Sequence, residues 1–396
     1  MEPRLYLKPG HDRPVRRHHP WVFSGALGRL EGPVADGGVV EVLSFDGEWL
    51  ARGYLNRRSQ ILARLLTWDP GEAIDEAFWE RRLERALQAR AALRLEEMTS
   101  AYRLVFAESD GLPGLIVDRY GDFLVLQSLT LGVERWKEVI VRLLAERLHP
   151  RGIYERSDVE VRAKEGLAPA EGVRFGEPPP PRLLITEHGH RFYVDVIRGQ
   201  KTGFYLDQRE NRRRAAAYLA GAEVLNAFSY TGAFAVYALK AGARFVVNVD
   251  TSAEALQGAV ENLRRNGFDE RRFENIEGDA FQVLRRMRAE GRRFDAVILD
   301  PPKFAYAQAH LPRAARGYKD INLQALHLIR PGGLLITFSC SGLVSPDLFQ
   351  KIVFAAAEDA GRDVQILERL SQAPDHPVRL SFPESEYLKG LICRVW

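Results

Sequence analysis

Cysteine is almost absent: the 396 residues contain two, Cys340 and Cys393. Two thiols so far apart in sequence cannot frame a disulfide scaffold. No C-x-x-C and no Cys/His zinc spacing occurs, so no metal is indicated. No apolar run approaches the roughly 20 residues of a membrane-spanning helix. The opening stretch MEPRLYLKPGHDRPVRRHHPW has no apolar core and does not read as a secretory signal. A formal net charge of only +3 selects no class of partner. No internal repeat is visible. The expectation is a cytoplasmic chain without membrane association, where a thiol outside a disulfide stays usable as a nucleophile.

What is present falls into three blocks, expected at 1–70, 71–182 and 183–396. The first has short strand patterns around glycine turns, with Asp46-Gly47 between two apolar runs, and reads as a small β-barrel-like module. The second opens on an amphipathic helix near residues 74–94, with Phe78, Leu83 and Leu87 on one stripe. Strands, turns at Asp110-Gly111 and Tyr120-Gly121-Asp122, and a further helix complete an α+β region. Pro178 to Pro181 form a stiff linker.

The third block alternates apolar strands with helical patterns: AEVLNAF, RFVVNVD, RFENIEGD, FDAVILD and GGLLITFSC. That alternation predicts a doubly wound, Rossmann-like α/β sheet. DVQILERL and YLKGLICRVW should add an antiparallel pair at its edge.

Ligands of such sheets sit beyond the carboxyl ends of the strands. The first strand leads into NAFSYTGAF without G-x-G-x-x-G. Those glycines admit a pyrophosphate, so a dinucleotide is disfavoured. S-adenosylmethionine has no phosphate and makes no such demand, and Gly232 still permits a close turn. Asp250 ends the second strand, where an acid grips ribose hydroxyls. Asp279 follows the third, where a carboxylate can accept from an adenine amino group. Asp300-Pro301-Pro302 ends the fourth on a rigid, extended exit. Taken singly, each acid reads as a helix cap or turn former. The three acids, with the turn after the first strand, at four successive strand ends point to the cofactor.

Cys340 ends the fifth strand, beside the one carrying Asp300, with Ser345-Pro346 set to cap the next helix. A buried small hydrophobe is the ordinary fate of a lone cysteine, and Cys393, in an apolar strand expected at the edge, fits it. Polar neighbours and a helix N-terminus instead favour a thiolate at Cys340. A thiolate adding to C6 of a pyrimidine makes C5 nucleophilic toward a methyl donor, and Asp300 can hydrogen-bond the base.

Several stretches together carry a family resemblance: RHHPWVFSGAL, ESDGLPGLIVDRYG, KTGFYLDQRENR, LNAFSYTGAFAVYAL, LDPPKFA, RGYKDIN and LLITFSCSGL. The chain resembles, over essentially its whole length, the bacterial 23S ribosomal RNA cytosine-C5 methyltransferases with an N-terminal PUA domain. The resemblance implies that Cys340 is the nucleophile and that Asp300 contacts the base. It implies S-adenosylmethionine contacts from Gln208, Asn226, Phe228, Ser229, Asp250, Ser252, Asp279 and Ala280, with Gly232 in the turn. It makes the first block an RNA-binding module and favours Arg16, Arg17 and Trp21 as RNA contacts. The basic runs Arg13–Arg17 and Arg209–Arg214 otherwise read as solvated surface. One departure concerns product release. Many RNA cytosine-C5 enzymes have a second cysteine after the Asp-x-Pro motif, where this chain has Lys303, counted here with the RNA contacts. Water or hydroxide is then left to take the C5 proton, and His376 reads as structural. Guanine-N2 methylation, uracil-C5 methylation and a non-catalytic RNA-binding role remain as alternatives, and oligomeric state stays open, a homodimer included.

Overall fold

The computed structural model describes residues 2–396. Contacts divide it into two compact units: residues 1–185, 194–204 and 374–385, and residues 186–193, 205–373 and 386–396. Among the described residues, no helix is long and apolar enough to cross a membrane.

The first unit holds two sheets. One has six strands, ordered Trp21–Phe23, Ile61–Thr67, Trp49–Leu55, Val39–Leu43, Arg4–Leu7 and Leu27–Glu31. Asp46-Gly47 forms the expected hairpin turn, with Gly47 at φ +90°. The other has five strands, ordered Ala170–Gly176, Gly152–Ser157, Phe123–Ser128, Leu115–Tyr120 and Ala101–Phe106. Helices Glu76–Ala91 and Leu131–Leu148 accompany this sheet. Asp75 caps the first of them by accepting from Phe78 N, and Phe78, Trp79 and Leu83 bury its apolar stripe. Each sheet has its own apolar core, and buried side chains tie the two: Tyr54 donates to Thr130 Oγ1 at 2.7 Å, and buried Arg64 reaches Glu165 Oε1 at 2.7 Å. Residues 374–385 join this unit late in the chain. Asp375 Oδ2 accepts from Arg103 N at 2.9 Å, and the Phe382 ring packs 4.6 Å from Trp21. His376 is buried there beside Asp375 and the Phe106 ring.

The second unit is the doubly wound sheet. Its strands are β1 (Glu223–Ala227), β2 (Phe245–Asp250), β3 (Phe273–Glu277), β4 (Phe294–Leu299), β5 (Ile329–Ser339), β6 (Val364–Ser371) and β7 (Lys389–Val395). Its order is β3-β2-β1-β4-β5-β7-β6. Neighbours among β1 to β5 run parallel, while β7 lies antiparallel to both β5 and β6. Helices α1 (Ala233–Lys240), α2 (Ala253–Arg265), α3 (Ala280–Ala289), α4 (Leu311–Leu328) and α5 (Pro346–Ala360) alternate with the strands. Val246, Val247 and Val249 are all buried, the pattern of a strand covered on both faces.

The expected antiparallel pair is present, with one correction. The edge strand is β6; β7, which carries Cys393, lies inside the sheet between β5 and β6. A second correction concerns Arg209 and Arg212, which are buried, not on a solvated surface. Arg212 forks onto Glu187 at 2.8 and 2.7 Å, while Arg214 pairs with Glu368 and Arg213 with Glu210. Arg212 looked solvent-facing because Glu187, the acid that binds it, lies 25 residues away in sequence.

Candidate active site

Strand order reverses between β1 and β4, so a crevice opens beyond their carboxyl ends. The chain leaving β1 is contorted. Phe228 and Tyr230 adopt φ of +60° and +46°, and Gly232 follows at +75°. Left-handed backbone is costly for residues with a Cβ and survives where surroundings hold it. Asp250, ending β2, supplies that hold: Oδ2 accepts from Tyr230 N at 2.8 Å and Oδ1 from Ser252 N at 3.0 Å. Gly232 is needed for packing, because a Cβ there would meet Ala259 Cβ of α2 at 2.8 Å.

The remaining strand-end residues fall around the same edge. Ser229 is 7% exposed, and its Oγ finds no hydrogen-bond partner among the described residues. Ser252 caps α2 through Ala255 N at 3.1 Å. Exposed Asp279 caps α3 through Gln282 N at 3.0 Å, and Ala280 is the first residue of that helix. Both serve as caps, and each keeps acceptor capacity beyond the single N–H. Asn226 has a different setting. It is buried within β1 and starts a ladder of side-chain amides, Asn226 to Asn248 to Asn275, each step 2.9 Å. Phe228 opens a run of rings that continues through Phe281 at 6.4 Å and Phe304 at 6.0 Å to Tyr318 at 4.6 Å.

Beyond β4 and β5 lie the groups suited to chemistry. Asp300 Oδ1 accepts from Gln208 Nε2 at 2.9 Å. Cys340 is half-buried at the end of β5, with Sγ 3.9 Å from the carbonyl of Pro301. Ser341 Oγ donates to Ala305 O at 3.2 Å and ties this turn to the segment after the prolines. Ser345 caps α5 through Leu348 N at 3.1 Å with Pro346 in its first turn, as its sequence predicts. Cys393 is fully buried, and burial pushes its thiol up to about 12, so it stays protonated. Lys303 leans over the exposed Tyr306 ring, 5.4 Å from its centre.

Three neighbours escaped sequence reasoning. Burial, then the negative groups Asp300, Asp207 and Cys340, push the Tyr205 hydroxyl far upward, so it remains a neutral donor. Asn211 donates to Gln208 Oε1 at 2.6 Å. Lys389 is buried in β7 and donates from Nζ to Ser341 O at 2.6 Å. A lysine inside the apolar run LKGLICRVW was the available signal for the last.

In the first unit, Arg16 is exposed but held by Glu48 and Asp12. Trp21 Nε1 donates to Glu108 Oε1 at 2.9 Å. Arg17 is exposed and makes no ion pair among the described residues.

Comparison with known proteins agrees with this architecture. The family model for S-adenosylmethionine-dependent methyltransferases matches residues 173–393, and that for PUA-like domains matches 5–68. The chain is 51% identical to the ribosomal RNA large subunit methyltransferase I of Shewanella denitrificans over 100% of both chains. It is 52% identical to the protein of that name from Shewanella amazonensis, again over 100% of both. A candidate methyltransferase solved in complex with SAH shares the fold, with a TM-score of 0.87, 23% identity and 100% coverage of each chain. An N-terminal PUA-like domain therefore precedes the catalytic sheet, and the chain belongs to the S-adenosylmethionine-dependent methyltransferase family.

Proposed function

We propose that this protein transfers a methyl group to C5 of a cytosine in the 23S RNA of the large ribosomal subunit, through a covalent bond between Cys340 and C6. The observation that carries the reading is the placement of Cys340 at the end of β5, its sulfur beside the Asp300-Pro301-Pro302 exit of β4. Methyl transfer to nitrogen needs no thiol there. The RNA is inferred from the two Shewanella relatives, whose printed names state a large-subunit ribosomal RNA methyltransferase.

The crevice fits the cofactor. Ser229 offers a buried hydroxyl without a partner, and Asp250 and Asp279 present carboxylates at successive strand ends. These three, with Gln208, Phe228, Ser252 and Ala280, are the residues that would hold it. Asn226 would act through its amide ladder. S-adenosylmethionine supplies, when bound, an electrophilic methyl group on a sulfonium.

The chain's own groups perform the remaining work. The target cytosine leaves its stack to reach the crevice. Cys340 sulfur bonds to C6, and the ring electrons make C5 nucleophilic. Asp300, oriented by Gln208, binds the polar edge of the base and favours the charge that develops on it. After methylation C5 loses its proton, the C5–C6 double bond re-forms and the thiolate leaves. RNA is held by the PUA-like domain, with Arg17 and Lys303 contributing charge. The division at 1–70, 71–182 and 183–396 and a cytoplasmic setting belong to the same proposal.

The test is large-subunit RNA carrying 5-fluorocytosine, whose fluorine cannot leave as a proton. Wild-type protein should be trapped as a covalent adduct on it, and Cys340→Ala should give none. Nucleoside mass spectrometry should show 5-methylcytidine only with intact Cys340. Near-normal methylation by Cys340→Ala would refute the mechanism and favour guanine-N2 chemistry.

A further inference from the structure

Lys389 occupies an expensive position. It begins β7 with its Cα opposite Ser339 of β5 and Ser371 of β6, and it is 5% exposed. A buried ammonium costs several kcal/mol unless it is paired. Its hydrogen bond goes to a neutral group, the Ser341 carbonyl. No carboxylate lies within ion-pair distance of it among the described residues. Burial pushes its amine down to about 8, while the charges of Cys340 and Glu386 push upward and Lys303 pushes down. Glu386 is exposed to solvent, where water screens its charge. The carbonyl that fixes Nζ belongs to the residue after Cys340. The sulfur is therefore the group whose negative charge this buried cation answers.

We propose that Lys389 is the cationic partner that keeps Cys340 as a thiolate, a positioning residue that acts on methyl transfer through the sulfur. This rests on Cys340 being the nucleophile of the proposed reaction. The protons balance simply. The Cys340 S–H proton leaves to water, and the thiolate stands beside the Lys389 ammonium, which keeps its own proton. The thiolate forms the S–C6 bond, and the displaced ring electrons serve C5. After methylation the C5 proton goes to water, the S–C6 bond breaks, and the thiolate returns to the same ammonium. Lys389 stays protonated throughout the cycle. The other groups facing the pair are Glu386 and Lys303 near the amine, and Asp300, Tyr205 and Tyr318 near the sulfur.

The test is the pH dependence of iodoacetamide alkylation at Cys340, read by peptide mass spectrometry on the full chain without RNA or cofactor. Cys393 is buried and protonated, so it stays unlabelled. Wild-type alkylation should have a midpoint below the ordinary thiol value of about 8.5. Lys389→Met should raise that midpoint by about one unit, a several-fold slower reaction at pH 7. Lys389→Arg should restore the wild-type profile. The difference should close only at pH values above both midpoints, where both proteins are fully thiolate. Unchanged S-adenosylmethionine affinity by calorimetry certifies the fold of each variant. Coincident wild-type and Lys389→Met profiles would overturn the proposal. If Lys389→Met fails to fold, the wild-type midpoint decides: at or above the ordinary thiol value, the proposal falls. Because the assay involves no methyl transfer, its failure is distinct from retained activity in Cys340→Ala, which would defeat the reaction itself.

Discussion

Gln208 Nε2 donates to Asp300 Oδ1 at 2.9 Å, and its own orientation is fixed because Oε1 accepts from Asn211 Nδ2 at 2.6 Å. Asn211 is anchored in turn on Ser371 O at 2.9 Å. An amide that donates on one side and accepts on the other cannot flip without losing both bonds. Gln208, expected as a cofactor contact, thus also sets the direction of the acid proposed to meet the base. Gln208→Leu keeps the volume and removes both bonds. Methyl transfer should fall by about ten- to a hundred-fold, the scale of a hydrogen bond to a charged group. The split between kcat and cofactor affinity, read by steady-state kinetics and calorimetry, separates the roles. A loss confined to cofactor affinity would make Gln208 a cofactor contact alone.

Asp250 combines two duties. Its carboxylate clamps Tyr230 N and Ser252 N, and thereby holds the left-handed turn after β1. Asp250→Ala should weaken S-adenosylmethionine binding by about 1.5–3 kcal/mol. It should also lower the melting temperature, because two backbone donors lose their acceptor. Unchanged affinity in folded protein would remove Asp250 from the cofactor site.

The strands and caps were legible because they are local. Continuous apolar runs announce strands buried on both faces, and Ser345-Pro346 announces a helix start three residues ahead of the bond it makes. Strand ends in order then place Asp250, Asp279, Asp300 and Cys340 along one edge. Long-range pairing was not legible. Arg212 looks solvated until Glu187 is found beside it, and Lys389 looks like one polar residue in an apolar strand. Asn226 carries no mark of the ladder it joins, since its partners sit on two other strands. The late segment around Asp375 and Phe382 joins the first unit through contacts that no local pattern encodes.

Acid stability should report on Glu134. Burial raises its carboxyl, but hydrogen bonds from Arg162, Lys137 and Ser128 outweigh it and bring it down to about 2. The folded value therefore lies below the unfolded one, near 4.3. Its contribution is fully present above that unfolded value and is lost as pH falls toward 2. Glu134→Gln should cost on the order of 2–3 kcal/mol at pH 7. It should also flatten the pH dependence between about 4.5 and 2. Denaturant titrations of both proteins across that range would measure this. Parallel curves would mean that Glu134 is not the group titrating.

The basic cluster near the N-terminus offers the sharpest contrast among the proposed RNA contacts. Arg16, Arg17 and Trp21 were expected to act together, yet their settings differ. Arg16 is already bound by Glu48 and Asp12, whose carboxylates repel a phosphate. Trp21 is engaged by Glu108 and packs on Phe382. Arg17 alone of the three is exposed and outside any ion pair among the described residues. Each phosphate contact adds about one to the slope of log affinity against log salt, through released counterions. Arg17→Ala should therefore lower that slope by about one, with no change in melting temperature. Arg16→Ala should leave the slope nearly intact, because its charge is already answered. Trp21→Ala should lower the melting temperature before it changes affinity. Fluorescence anisotropy with a large-subunit RNA fragment over a salt series, beside thermal melts, reads all three. Equal slopes for wild type and Arg17→Ala would place the phosphate contacts elsewhere on the PUA-like domain.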